Sequence, residues 1–190
     1  TDGSASGRSD RGGATARQYQ VAGRSLGWGS QMLDWVGIAA TQLNANFIKL
    51  LFKGQAYEFV VTDPTKKIKT NQPIIIAAGW EPGCSTDKDT VLLAKTYGAK
   101  EVINLSNVDY IYSADPKKNK NAKKLPRLTW TELQKIVGTK WQPGANVPFD
   151  PSAVKAARPL GLTVKFVKGT NLPAIAAVLG GRAFPGSTVL

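Results

Sequence analysis

The chain of 190 residues has no histidine, one cysteine and one methionine. Without histidine there is no imidazole base for a hydrolytic triad and no His-rich metal site. The lone thiol, Cys84, excludes an internal disulfide and fits a reducing, cytoplasmic compartment. No apolar run approaches the ~18 residues of a membrane span. The opening TDGSASGRSDRGG has no apolar centre of the kind a secretory signal needs. Acidic residues are scarce, 13 against 25 Lys+Arg, which leaves a net charge of +12.

Such a balance suits polyanionic or phosphorylated ligands. Lys117, Lys118, Lys120, Lys123 and Lys124 crowd one short stretch, which reads either as a solvated loop or as a nucleic-acid patch. No aromatic residue interleaves with these lysines, so a single-strand stacking platform lacks its main element, and nucleic acid is disfavoured as a partner. The length suits one domain with a sizeable core, and 42% apolar content is ordinary for a soluble protein.

Residues 1–11 are polar and without periodicity, which reads as a disordered or irregular tail ahead of one domain at 12–190. Gly12 and Gly13 precede a helical run over 14–26. A glycine pair there either joins a tail to a helix or lets backbone approach a phosphate. From 31 to 52 apolar residues recur at helical spacing, with Asp34 in the first turn, where an acid complements the helix dipole. Residues 57–62 read as a strand, Asp63-Pro64 as a turn, and the run Ile74, Ile75, Ile76, Ala77, Ala78 as a strand buried on both faces. Gly79 ends that run, and the loop 80–86 delivers Ser85, Thr86 and Asp87 to a helix start. A strand at 102–105 follows, and such strand–loop–helix–strand units bind anions at the carboxyl ends of their strands.

Beyond Asn107, the turn Ser113-Ala114-Asp115-Pro116 presents polar side chains. Thr129 and Glu132 form a capping-box pattern before a helix at 130–137. A helix opens at Asp150-Pro151 and ends near Pro159 and Gly161; strands follow at 162–167 and 187–190, with a helix at 171–179 between them. The alternation predicts α/β architecture, a three-layer α/β/α sandwich with a mostly parallel central sheet.

Five motifs in this order carry a family resemblance: GGATAR at 12–17, LDWVGIAATQLNA at 33–45, GWEPGCSTD at 79–87, NVDYIYSADP at 107–116 and PGANVPFDP at 143–151. The chain resembles the archaeal-type uridylate kinases of the amino acid kinase superfamily. That resemblance implies transfer of the γ-phosphoryl group of ATP to UMP with Mg²⁺, in a cytoplasmic homo-oligomer that is a hexamer in the family. It implies UMP contacts from Gly12, from Asp34 to a ribose hydroxyl, and from the loop Trp80, Glu81, Pro82, Gly83, Cys84, Ser85 and Thr86. It further implies that Gly13 and Arg17 approach the ATP phosphates, while Ser106, Tyr112 and Asp115 hold the nucleotide.

The chain departs from the family pattern in three places. Where relatives carry a strand, a glycine-rich phosphate loop with a lysine, a helix and a second strand, this sequence has the polar stretch 1–11, so the catalytic lysine is without a counterpart here. Tyr110 stands where glycine is usual, a ring that would crowd a nucleotide. Cys84 stands where histidine is common, and a buried bystander thiol is its plain reading. An alternative to the kinase is a non-catalytic member of the same fold that binds nucleotide or stores an anion or metal oxide; the lack of histidine counts against metal storage.

Overall fold

A computed structural model of the chain describes residues 13–140 and 147–190. Gly12, the stretch 1–11 and the 143–146 part of the last motif lie outside the described residues. The described residues fall into two compact units, one from 13 to 96 and one comprising 97–140 and 147–190.

The first unit begins with α1 (Gly13–Ser25) and α2 (Ser30–Leu51). Gly23 lets α1 come close to α2: an added Cβ there would lie 2.9 Å from the Leu33 side chain. The buried Gln20 amide donates to the Leu33 carbonyl at 3.0 Å. Helix α2 starts at Ser30, so Asp34 stands one position beyond its first turn, and no acid caps the dipole there. Its carboxylate is used differently, as the site shows below.

The strand expected at 57–62 is two isolated parallel bridges instead, Ala56 to Ile74 and Val61 to Ala77. The cause is a bend at Glu58 and Phe59. It turns the Glu58 carbonyl to the Lys49 ammonium, 2.6 Å away, rather than into a ladder. The run 74–78 is correspondingly half-buried, not enclosed on both faces as its apolar composition suggested. Helix α3 (Thr86–Tyr97) closes the unit, burying Asp89, Val91 and Ala94. Its Thr96 hydroxyl donates to the Pro64 carbonyl at 2.7 Å, which fixes the Asp63-Pro64 turn.

The second unit is built on β1 (Glu101–Ser106), the hairpin β2 (Ile111–Tyr112) and β3 (Lys124–Leu125), then β4 (Arg127–Leu128), α4 (Trp130–Val137), α5 (Pro151–Ala157) with a 3₁₀ turn to Leu160, β5 (Thr163–Lys168), α6 (Leu172–Leu179) and β6 (Gly186–Val189). Its four-stranded sheet has the order β1-β5-β6-β4, with β1–β5 and β4–β6 parallel and β5–β6 antiparallel. The mostly parallel α/β expectation holds. The central β5 buries Val164, Phe166 and Val167, and Phe166 meets Phe149 edge to face at 5.6 Å.

Local signals account for the helix boundaries. Thr129 and Glu132 complete the capping box of α4, Asp150 accepts from the Ser152 and Ala153 amides at the start of α5, and Gly161 stops the 3₁₀ turn at a left-handed φ of 59°. Lys117, Lys118, Lys120 and Lys123 are exposed on the loop that closes the β2–β3 hairpin, and Lys124 in β3 pairs with Tyr112. A buried serine ties that hairpin to the sheet. Ser187 Oγ accepts from the Ile111 amide at 2.9 Å and donates to the Leu125 carbonyl at 2.6 Å. Ser187→Ala leaves both groups unsatisfied in the interior, and a loss of about 1–3 kcal/mol in unfolding free energy is expected in urea denaturation. An unchanged midpoint would refute it.

Candidate functional site

Two clefts, one in each unit, gather the polar residues that the motifs singled out. The first lies beside the loop 80–86. Gly79 begins it with its amide on Thr41 Oγ1 at 2.9 Å, and a Cβ at that position would stand 3.0 Å from the same oxygen. Trp80 follows, its amide donating to the buried Asp89 carboxylate at 3.2 Å. The Cys84 amide closes a turn onto the Glu81 carbonyl at 3.1 Å, and Gly83 takes a φ of 79° that a side chain would strain. The Gly83 amide donates to Asp34 Oδ2 at 2.9 Å. Across 49 residues of chain, then, the α2 carboxylate anchors the apex of the loop.

Each loop residue therefore has a distinct setting. Trp80, Glu81 and Pro82 line a cleft of about 560 Å³ with Trp35, Gln31, Gln42, Thr62 and Asp63. Gly83 is held by Asp34. Cys84 is turned into the core, 2% exposed. Ser85 Oγ accepts from the Lys88 amide at 3.2 Å, so Ser85 caps α3, while Asp87 sits in its first turn. The Thr65 hydroxyl first, and the Lys66 ammonium 3.0 Å away, hold the Asp63 carboxyl down to about 2, so it stays charged in the cleft wall.

The second cleft, about 520 Å³, is lined by Ser106, Tyr112 and Asp115, with Tyr110, Lys117, Lys135, Ile136, Val147 and Pro148 also in its wall. Ser106 Oγ accepts from the Val108 amide at 3.3 Å, and Asp115 Oδ1 from the Lys117 amide at 2.9 Å, so both side chains also shape their own turns. Asp109 stands between two neighbours. The Tyr112 hydroxyl donates to Oδ1 at 2.8 Å and the Lys124 ammonium to Oδ2 at 2.7 Å. The lysine contact holds the Asp109 carboxyl below the usual range, while Asp109 in turn raises the Lys124 and Tyr112 proton affinities above theirs.

Gly13 lines a hollow of about 360 Å³ in the first unit with Thr41, Asn44, Ala45, Ile48, Ile76 and Ala77, and Arg17 is exposed on α1. Sequence reading missed Gln31, Trp35 and Gln42, although their helical spacing puts them on one face of α2. It also missed Lys135, Val147 and Pro148, which no local pattern connects to the turn at 113–116. Among the described residues no three acidic or cysteine side chains gather as a metal site, and no helix is long and apolar enough to cross a membrane.

Residues 6–168 match the family model described as the amino acid kinase family, a span that includes parts of both units. The uridylate kinase of Pyrobaculum neutrophilum is 33% identical over 180 residues, covering 94% of this chain and 82% of that protein. That of Pyrococcus abyssi is 34% identical over 181 residues, covering 94% and 80%. The structure matches the crystal structure of uridylate kinase from Archaeoglobus fulgidus with a TM-score of 0.81 at 32% identity, over 95% of this chain and 82% of that one. UMP kinase from Bacillus anthracis, at 18% identity and TM-score 0.70 over 89% and 73%, shares the fold.

Proposed function

The chain belongs to the amino acid kinase family, and on that premise we propose that it transfers the γ-phosphoryl group of ATP to UMP, giving UDP and ADP. The observation that carries this reading is identity of 33% to a uridylate kinase running over 94% of the chain. Phosphoryl transfer asks a protein for positioning and charge neutralisation, not for a covalent nucleophile. The lack of histidine and the burial of the one thiol are therefore no obstacle to it.

In this reading the first unit holds the acceptor. Asp34 fixes the apex of the loop 80–86 through Gly83, and its second oxygen takes a ribose hydroxyl. Trp80, Glu81 and Pro82 line the cleft that takes the pyrimidine nucleotide. Gly12 and the loop 80–86 serve its phosphate. The second unit holds the donor through Ser106, Tyr112 and Asp115, with Lys117 and Lys135 as cations in the same wall. Gly13 and Arg17 serve the donor phosphates. An oxygen of the UMP phosphate attacks the γ-phosphorus in line as ADP leaves.

Among the described residues the donor cleft is lined by one carboxylate, Asp115, and two lysines, Lys117 and Lys135. That set fits a Mg²⁺ ion carried by the nucleotide and held through one carboxylate, rather than one caged by protein. When bound, the ion supplies neutralisation of phosphate charge. A coupled assay with ATP, Mg²⁺ and UMP tests the proposal: ADP release should depend on UMP. Folded protein that releases none, or releases ADP equally without UMP, would overturn it.

The kinase acts in the cytoplasm as an assembly of identical chains. An uncovered apolar stripe on α2 supports assembly: Leu43 is 61% exposed, Phe47 64% and Leu50 68%. They recur at helical spacing, and a continuous apolar face of this kind marks an interaction surface. The double variant Leu43→Asp, Phe47→Asp is expected to lower the light-scattering mass to that of one chain. An unchanged mass would place assembly elsewhere.

A further inference from the structure

We propose that Tyr110 is the aromatic wall on which the base of the nucleotide donor stacks, and that Lys124 and Asp109 are positioning residues that hold it. The inference rests on the donor cleft of the kinase reading and adds residues that no family motif role assigned.

The buried Ile111 orients the segment. Ile111 is 2% exposed and its amide is bound to Ser187, so it faces the interior. Its neighbours Tyr110 and Tyr112 both line the cleft. The β2–β3 register sets Lys124 opposite Tyr112, and from there its ammonium reaches 4.6 Å from the Tyr110 ring centroid while donating to Asp109. A cation over one face of a ring covers that face and leaves the other for a planar partner. Asp109 meanwhile takes the Tyr112 hydroxyl, so one carboxylate restrains both the lysine and the second ring.

The rest of the cleft suits the same ligand. Ile136 and Val147 are apolar, and Lys117 and Lys135 bring positive charge. An aromatic and apolar wall with lysines beside it matches a molecule with a flat base and a polyphosphate. The ring that the sequence placed as an obstruction is a platform, because base–aromatic stacking needs only an accessible face and tolerates any base.

Calorimetric titration of the full chain with ATP and with inorganic tripolyphosphate, which has no base, separates stacking from charge. Tyr110→Ala is expected to weaken ATP about tenfold and leave tripolyphosphate within twofold. Tyr110→Phe should bind ATP within twofold of wild type, and Lys124→Met should weaken ATP about threefold. Where thermal unfolding shows that the alanine variant does not fold, Tyr110→Leu keeps the apolar bulk without the ring and replaces it. Equal losses for both ligands, undiminished ATP affinity without the ring, or failure of phenylalanine to preserve binding would each overturn the wall. Wild-type protein that binds ATP but never releases ADP with UMP ends the kinase reading and leaves the wall standing. Wild-type protein that binds no ATP ends both.

Discussion

Asp34→Ala is expected to raise the KM for UMP about 10- to 100-fold while leaving that for ATP within a factor of two. A hydrogen bond to a charged group contributes about 1.5–3 kcal/mol, and 1.4 kcal/mol is a factor of ten. The carboxylate holds the Gly83 amide at 2.9 Å, at the position where the loop takes a left-handed φ of 79°. Without it the loop loses its anchor on α2, and in the proposed reading UMP loses the acceptor for its ribose hydroxyl. Asp34→Asn keeps an amide oxygen for Gly83, so it should fall between wild type and alanine. Initial rates with UMP varied at saturating ATP decide the matter. An equal rise in both KM values would make Asp34 a general structural residue and remove it from the acceptor site.

Phe149→Ala is expected to cost about 3–5 kcal/mol of unfolding free energy, a large share of the 5–15 kcal/mol that stabilises a typical domain. The ring is 1% exposed and lies between Trp130, 6.5 Å away, and Phe166 at 5.6 Å. Its removal opens a cavity between α4, α5 and β5 that rigid neighbours cannot fill. The same segment carries Val147 and Pro148 into the donor cleft and Asp150 onto the α5 amides. Weaker ATP binding should therefore accompany the loss of stability. Urea denaturation measures the first and calorimetry the second; Phe149→Leu, which removes less volume, should cost less of both. A loss below about 1 kcal/mol would mean that the site collapses around the smaller side chain.

The two predictions differ in how far they were legible beforehand. Asp34 stood out by its place in a family motif, yet its position on a long helix suggested only a dipole contact. Its partner, Gly83, is 49 residues away, and no helical or strand period reaches that far. The hairpin at β2 and β3 escaped for a similar reason. Each strand has two residues, too few for an alternating pattern, and it is the buried Ser187 that fastens both to the sheet. The run 74–78 misled in the opposite sense. Its composition is that of an enclosed strand, but enclosure depends on what packs against it, and the bend at Glu58 and Phe59 leaves it two bridges.

By itself the sequence determined the helices and their ends, the α/β class and the family. Caps such as Thr129 with Glu132, Asp150 before Pro151, and Asn171 on the Ala174 amide act within three residues, so they are legible wherever they occur. Only the tertiary structure decided that Trp35 shares a cleft with Trp80, that Cys84 is buried away from that cleft, and that Lys124 braces Tyr110 rather than facing solvent alone. These are contacts between residues whose separation along the chain says nothing about their distance. They follow from burial and hydrogen-bond satisfaction summed over each folded unit, which no short window of sequence contains.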